Sequence, residues 1–172
     1  IEVLRNQPMR ITIIQGAFLP VPAIRGGAVE KNWHRLGAVF SDSGATVTHL
    51  SRLCAELAEV EDLNGVDHRR VRGFDTPKSI AWLKVLDGIY SLRIMGKLRR
   101  SDIVVTNTFW MPILLRKHER WGKVVVDFAR MPKGQVRLYK HVACIRVNSE
   151  AVKAAVLKEC PEVAPILRLI PN

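Results

Sequence analysis

The hydrophobic and polar positions of this chain follow two alternating patterns, one typical of buried β-strands and one typical of helices. Short apolar runs rich in β-branched residues predict seven strands: Arg10–Gln15, Ala45–Leu50, Asp67–Phe74, Asp102–Asn107, Lys123–Phe128, Val142–Asn148 and Ile166–Ile170. Helical spacing of apolar residues predicts helices from Gly27 to Phe40, over Pro77–Lys97, over Pro112–Trp121 and from Glu150 to about Glu159. Glu30 falls on the polar face of the first of these helices, and Ser149 is the predicted cap of the last. Strands and helices therefore alternate along the chain.

This alternation predicts an α/β fold. Strand, helix and strand in succession form right-handed crossover units, and such units build a mostly parallel sheet. We expect a single Rossmann-like domain whose seven strands take the order 3-2-1-4-5-6-7, with helices on both faces of the sheet. Residues 1–8 do not resemble a strand or a signal peptide and are predicted to be an extension, so the domain is assigned to residues 9–172.

The composition agrees with one domain that has an apolar core. The chain has 172 residues, of which 48% are hydrophobic and only 6% aromatic, a balance that favours a helix-covered sheet over an all-β sandwich. The three cysteines are far apart among apolar neighbours and are predicted to be reduced, as in a cytoplasmic protein. The longest uncharged stretch, Ile11–Ile24, is too short to span a bilayer.

The formal net charge of +11 indicates attraction to anionic partners. The basic residues are spread along the chain and do not alternate with aromatic residues, so no specific nucleic-acid binding is expected. The predicted helix around Pro77–Arg100 carries six of them, against the single acidic residue Asp87. This pattern indicates either a solvated basic face or peripheral contact with anionic lipid headgroups on the inner face of a membrane.

Candidate site residues come from the segments that follow the strands, because ligands of open parallel sheets bind at the carboxyl ends of the strands. The glycine pair Gly26–Gly27, at a predicted helix start, is either a turn or a place where backbone amides approach an anion. Asp127 ends an apolar strand and is either a base or substrate ligand, or a carboxylate that caps a helix or braces a loop. The other polar candidates near this edge are Arg25, Asn107, Thr108, Arg130, Lys133, Ser149 and Glu150.

Several common motifs are missing from the sequence. It contains no G-x-G-x-x-G fingerprint, no Walker P-loop, no H-E-x-x-H and no G-x-S-x-G. The five histidines do not show the spacing of metal ligands. We therefore expect no metal site and no bound dinucleotide cofactor.

Three stretches resemble the family 4 (group 1) glycosyltransferases. The opening MRITIIQGAFLP…IRGGAVEKNWHRLGAVFSDSGATVTHLSR resembles the first strand, long loop, glycine pair, helix and second strand of that family. The middle segment SDIVVTNTFW and the late segment ACIRVNSEAVKAAVLKECPEVAPILRLIPN are similar to its later strands. The resemblance covers nearly all of residues 9–172.

The resemblance implies the N-terminal, acceptor-side half of a two-domain GT-B enzyme. Such enzymes transfer a sugar from a nucleotide-sugar to a glycan or lipid-linked acceptor, with retained anomeric configuration and without a metal ion. Gly26 and Gly27 match the family's glycine loop, whose amides approach the donor diphosphate, and Asp127 is the nearest polar replacement for a family histidine. Arg130 and Lys133 would neutralise phosphate or an anionic acceptor. The donor-binding C-terminal domain, with its E-x7-E pair, is absent from this chain, so the fragment is expected to be inactive alone.

Two other functions fit the same sequence. One is a GT-B sugar-nucleotide epimerase, which would have a similar glycine loop. The other is a stand-alone Rossmann-like module that binds phosphorylated ligands or nucleic acid. A second domain with an E-x7-E pair would favour the transferase over the module.

Overall fold

The computed structural model describes residues 7–116 and 119–172, which form one eight-stranded sheet with helices packed against it. Most of the predicted N-terminal extension, residues 1–6, lies outside the described residues. The strands are β1 (Arg10–Ile14), β2 (Thr46–Leu53), β3 (Val60–Leu63), β4 (Val66–Arg72), β5 (Ile103–Thr106), β6 (Lys123–Phe128), β7 (Cys144–Val147) and β8 (Leu167–Leu169). The helices are α1 (Ala28–Asp42), α2 (Ile80–Met95), α3 (Met111–Leu114) and α4 (Glu150–Glu159).

The strand order is β3-β4-β2-β1-β5-β6-β7-β8, and every neighbouring pair except β3–β4 is parallel. The seven predicted strands correspond to β1, β2 and β4–β8, so their predicted order is confirmed. The predicted count was too low by one. The additional strand, β3, pairs antiparallel with β4 through a hairpin at Asn64–Gly65, whose φ angles are 54° and 73°. Positive φ at both turn positions suits an Asn-Gly pair.

The two faces of the sheet are covered unequally. On one face, α2, α3 and α4 pack on a large apolar core that includes Ile14, Leu50 and Ile145. On the other face, α1 packs on β2 and β4, where Gly37 lies against Ile13 and Val47. Next to α1, over β5–β7, an apolar groove of about 810 Å³ remains. Helices are therefore present on both faces, as expected. In the described part of the chain, the second face is covered by α1 alone.

The predicted helix over Pro112–Trp121 is too long. The structure has the one-turn helix α3 and a separate 3₁₀ turn at Glu119–Trp121, and residues 117–118 lie outside the described part. The sequence that follows Leu115 is largely charged, so it provides no apolar stripe with which a longer helix would pack. The other predicted helices match α1, α2 and α4, and Ser149 caps α4 as predicted by accepting a hydrogen bond from the amide of Val152. No described helix has the length and apolar character needed to cross a bilayer.

Three histidines meet between α1 and the β2–β4 pair. The rings of His49 and His68 stack with their centroids 5.1 Å apart, and the ring of His34 lies 5.4 Å from that of His68. His49 and His68 are fully buried, and no described group forms a hydrogen bond with any of their four ring nitrogens. Burial, with the nearby charge of Arg70, lowers the pKa of His68 to about 4, although Glu61 and Asp62 oppose the shift. Burial likewise lowers the pKa of His49 well below its ordinary value.

We expect His68 to make the folded state sensitive to acid. An unfolded chain binds a proton at His68 near pH 6.5 and the folded chain only near pH 4, so the stability present above pH 6.5 is lost as the pH falls. Between pH 7.5 and 5 the free energy of unfolding should fall by about 2 kcal/mol through this group. Urea unfolding of the wild type and of His68→Leu at both pH values measures the difference.

Comparing the two proteins at each pH removes the contribution of the buried Asp87, whose pKa is raised to about 6 and which acts in the opposite direction. His141→Gln, outside the cluster, serves as the matched histidine variant. Equal losses of stability in the wild type and in His68→Leu on acidification would contradict the assignment.

Candidate functional site

The candidate site lies at the carboxyl ends of β1, β5, β6 and β7, where a long loop connects β1 to α1. A buried arginine, Arg70 on β4, holds this loop. It donates from Nε and Nη2 to the Val21 carbonyl oxygen at 3.0 and 2.9 Å, and from Nη1 to the Ala58 carbonyl oxygen at 2.6 Å. An ion pair with Glu61 balances its charge. The loop is therefore tied to the interior of the domain at its midpoint.

A second arginine fixes the first part of the loop. Arg52 on β2 donates from Nη1 to the Phe18 carbonyl oxygen at 2.7 Å and from Nη2 to Asp75 at 2.6 Å. The amide of Phe74 donates to the Ala17 carbonyl oxygen at 3.0 Å, and a side chain at Gly73 would collide with that same oxygen. The backbone of the loop thus runs directly beside the segment that leaves β4.

The loop ends at Gly26–Gly27, where α1 begins. Both glycines have positive φ, 83° and 109°, and Gly27 is the N-cap of α1 without a side chain to satisfy the first amides. A Cβ atom at Gly26 would meet no atom within 4 Å, so this backbone borders open space. The amides and the helix dipole favour an anion here. The phosphate-binding role of the glycine pair stays a prediction.

Glu30 lies against the glycine pair. Its carboxylate occupies the space next to Gly27, so a side chain at Gly27 would collide with it and with Leu19. Glu30 is buried, and burial raises the pKa of its carboxyl; a hydrogen bond from its own backbone amide and, to a smaller extent, the positive charge of Arg130 oppose that shift. The helix start thus combines backbone donors, a carboxylate and an exposed arginine.

Asn107 follows β5 and lies beside the end of β1. Its Nδ2 donates to Oε1 of Gln15 at 3.0 Å, while its buried Oδ1 has no hydrogen-bond partner among the described groups. Thr108 next to it is bonded within its own loop: its Oγ1 lies 2.9 Å from that of Thr106 and accepts from the Met111 amide at 3.3 Å. Asn107 therefore has a buried acceptor without a described partner, whereas Thr108 is bonded to the first amide of α3; a ligand-binding role for either stays a prediction.

Asp127, near the end of β6, is buried and hydrogen-bonded. One carboxylate oxygen accepts from the Trp33 indole at 2.8 Å, and the other accepts from Nη1 of Arg146, also at 2.8 Å. Arg146 in turn donates to the Ile170 carbonyl oxygen at 3.0 Å and to the Asn172 side chain at 2.9 Å. These contacts favour the bracing role for Asp127. Its catalytic role stays a prediction.

The remaining candidates are spread along the same edge. Arg130 and Lys133 are exposed in the segment after β6, and Arg25 pairs with Glu56 at 3.0 Å on the surface. Ser149 is engaged as the N-cap of α4, and Glu150 pairs with Lys153 within that helix. Arg130 is thus the candidate with a described electrostatic link to the glycine pair, through Glu30.

Sequence reasoning missed Gln15 and misplaced Glu30. The helical pattern assigned Glu30 to the polar outer face of α1, but the structure buries it. It stands three residues after the N-cap, the position at which an acidic side chain commonly folds back over a helix start. Gln15 is buried directly after β1, and a polar residue that ends an apolar strand was the available signal. No group of three His, Cys, Asp or Glu side chains in residues 7–116 and 119–172 is arranged to hold a metal ion.

We expect the Asp127–Arg146 pair to be a major contributor to stability. Removing the carboxylate in Asp127→Ala leaves Arg146 buried without its counter-charge and the Trp33 indole without its acceptor. The free energy of unfolding should fall by about 3 kcal/mol, as measured by urea unfolding.

Glu59→Ala is the matched control, because it removes an ion pair with Lys97 whose side chains are about half exposed. That change should cost less than about 1 kcal/mol. The double variant Asp127→Leu/Arg146→Met should lose less than Asp127→Ala, since it leaves no unpaired buried charge. A cost for Asp127→Ala no larger than for Glu59→Ala would show that the pair does not stabilise the fold.

Two solved structures resemble the whole described fold. Sucrose-phosphate synthase from Thermosynechococcus elongatus matches with a TM-score of 0.71 and 16% sequence identity, over 95% of this chain and 48% of its own. A glycosyltransferase from Rickettsia africae ESF-5 matches with a TM-score of 0.58 and 15% identity, over 97% of this chain and 43% of its own. The chain thus spans about half the length of these structures.

The sequence comparisons add no family. No protein-family model matches the chain, and no curated protein matches it. The similarity therefore lies in the three-dimensional fold, which this chain shares with about half of each of the two structures.

Proposed function

We propose that this chain is the acceptor-side domain of a retaining GT-B glycosyltransferase similar to family 4 (group 1). The whole enzyme would transfer a hexose from a nucleotide-sugar to a glycan or lipid-linked acceptor in polysaccharide or glycolipid synthesis. The observation that carries the proposal is the match of nearly the whole chain to half of sucrose-phosphate synthase, with a TM-score of 0.71. We expect the enzyme to work in the cytoplasm, at the inner face of the membrane.

The geometry of the helix start supports a role in holding the donor diphosphate. At Gly26 the backbone borders open space, and the first amides of α1 lack a side-chain cap. A phosphate there would accept hydrogen bonds from these amides, and the helix dipole would stabilise its negative charge. The exposed guanidinium of Arg130 would add positive charge, which also lessens repulsion from Glu30. The chain contributes one wall of the cleft, and a second domain would supply most donor contacts.

Asn107 and the segment after β6 would line the acceptor side. Asn107 lies at this edge with a buried Oδ1 that has no described partner, so a shift of its side chain would be needed to present that acceptor to a sugar hydroxyl. Lys133 is exposed and would attract an anionic acceptor. Asp127 would fix the end of β6 through its contacts with Trp33 and Arg146, and this would keep the acceptor residues in place.

A screen of nucleotide-sugars tests the proposal on the protein that carries both domains. Release of a nucleoside diphosphate that depends on an added acceptor, with a product of unchanged anomeric configuration, is the expected result. Conversion of the donor sugar without any acceptor would instead identify the epimerase. Binding of phosphorylated ligands with no turnover would identify the stand-alone module. Metal chelation should leave the transfer rate unchanged.

We expect Gly26→Val to reduce kcat/KM at least tenfold, which corresponds to about 1.4 kcal/mol of transition-state stabilisation. The branched side chain would enter the space in which the diphosphate is proposed to lie. Initial rates at low donor concentration in the two-domain protein measure the effect.

Gly44→Val is the matched control, because Gly44 also has positive φ and open space around its Cβ position but lies at the far end of α1. Both substitutions introduce the same kind of backbone strain. Gly27→Val is less informative, since it would also displace Glu30. If Gly26→Val and Gly44→Val have equal kcat/KM, the assignment of Gly26 to the diphosphate site is wrong.

A further inference from the structure

Helix α2 buries Asp87, Tyr90, Ser91 and Ile94, and it exposes a row of apolar residues on its opposite side. The exposed fractions are 57% for Trp82, 46% for Val85, 40% for Ile89 and 64% for Leu92. We call these four residues the α2 stripe. Exposing so many large apolar side chains on one helix in water is unfavourable unless another surface covers them.

The spacing of the α2 stripe places its members on one face. Positions 82, 85, 89 and 92 are separated by three, four and three residues, so their side chains form a row along about three turns of the helix. Buried Asp87 explains why the helix keeps this orientation. Its carboxylate accepts hydrogen bonds from the amides of Phe109 and Trp110 at 3.1 and 3.3 Å. These two bonds of Asp87, with the buried side chains of Tyr90 and Ile94, keep the apolar row on the outer side of the helix.

Positive charge surrounds the α2 stripe. Asp87 is the one acidic residue of α2, and it is buried. Lys78 lies just before the helix, and Arg99 and Arg100 follow it; all three are exposed. Within the helix, Arg93 donates to the Arg72 carbonyl oxygen at 2.7 Å and is itself exposed. The apolar row is therefore flanked by cations along its length.

We propose that α2 docks on an anionic membrane surface, with the α2 stripe inserted among the lipid headgroups and acyl chain ends. An exposed apolar row that includes a tryptophan is suited to the membrane interface, and the nearby cations would attract anionic headgroups. A second copy of the chain is disfavoured as the occupant, because the basic flanks of two molecules would face each other. Charge alone predicted a purely electrostatic contact, whereas the exposed stripe adds insertion.

Insertion and electrostatic contact differ in their response to salt. Purely electrostatic binding disappears at high ionic strength, because counterions screen the charges. Insertion retains part of the affinity, since burial of apolar side chains does not depend on screening. Trp82 would also enter a less polar environment. Trp33 and Trp121 are buried and Trp110 is half-buried, so Trp82 should dominate a fluorescence change.

The test uses the wild-type chain and vesicles of phosphatidylcholine alone or with 30% phosphatidylglycerol. We expect co-sedimentation with the anionic vesicles at 150 mM NaCl and measurable residual binding at 500 mM. Tryptophan emission should shift to shorter wavelength, and lipids brominated on their acyl chains should quench it. Because quenching is measured on the wild-type chain, it tests insertion even if a substituted chain fails to fold. Binding that vanishes at 500 mM NaCl without quenching would overturn the insertion.

The variant Ile89→Ser/Leu92→Ser removes half of the α2 stripe and keeps every charge. We expect it to bind the anionic vesicles at least tenfold more weakly. Val39→Ser/Leu138→Ser is the matched control, because these residues are 54% and 47% exposed on other elements. An equal loss in the control would overturn the proposal. So would sedimentation velocity that shows a dimer dependent on the α2 stripe. Neither result bears on sugar transfer, which the donor screen tests separately.

Discussion

The buried guanidinium of Arg70 is the interaction on which the candidate site depends. Burying a charge is costly unless it is paired and hydrogen-bonded, and Arg70 meets both conditions through Glu61 and the carbonyl oxygens of Val21 and Ala58. One of these partners belongs to the long loop between β1 and α1. The loop therefore has one favourable path, along the ends of β2 and β4, and this path places Gly26 above the carboxyl edge of the sheet.

Most of the fold could be predicted from the sequence, because the relevant signals are local. Apolar runs with β-branched residues identified Lys123–Phe128 with its observed bounds, and helical spacing with a serine cap did the same for Glu150–Glu159. The strand order followed from the strict alternation of strands and helices, which is typical of a doubly wound parallel sheet. Boundaries elsewhere shifted by a few residues, since helix and strand ends depend on packing.

The features that were not predicted depend on contacts between distant segments or on weak patterns. Asp127 is 94 residues from the Trp33 indole that it binds, and no periodicity relates the two. Strand β3 is short and half acidic, so it lacks an apolar run, although the Asn64–Gly65 pair was a usable hairpin signal. The outward face of α2 was also unpredictable, because apolar residues surround most of that helix and tertiary contacts of Asp87 decide its rotation.

The hairpin strand β3 also affects how separate molecules meet. A sheet of parallel strands exposes unpaired amides and carbonyls along its outer strands, where a strand of another molecule could add. In the described sheet one outer strand is β3, with four residues including Glu61 and Asp62, and the other is β8, with three. Short edges, one of them acidic, are poor templates for intermolecular strand pairing. The described sheet therefore gives a strand of a second molecule little backbone with which to pair.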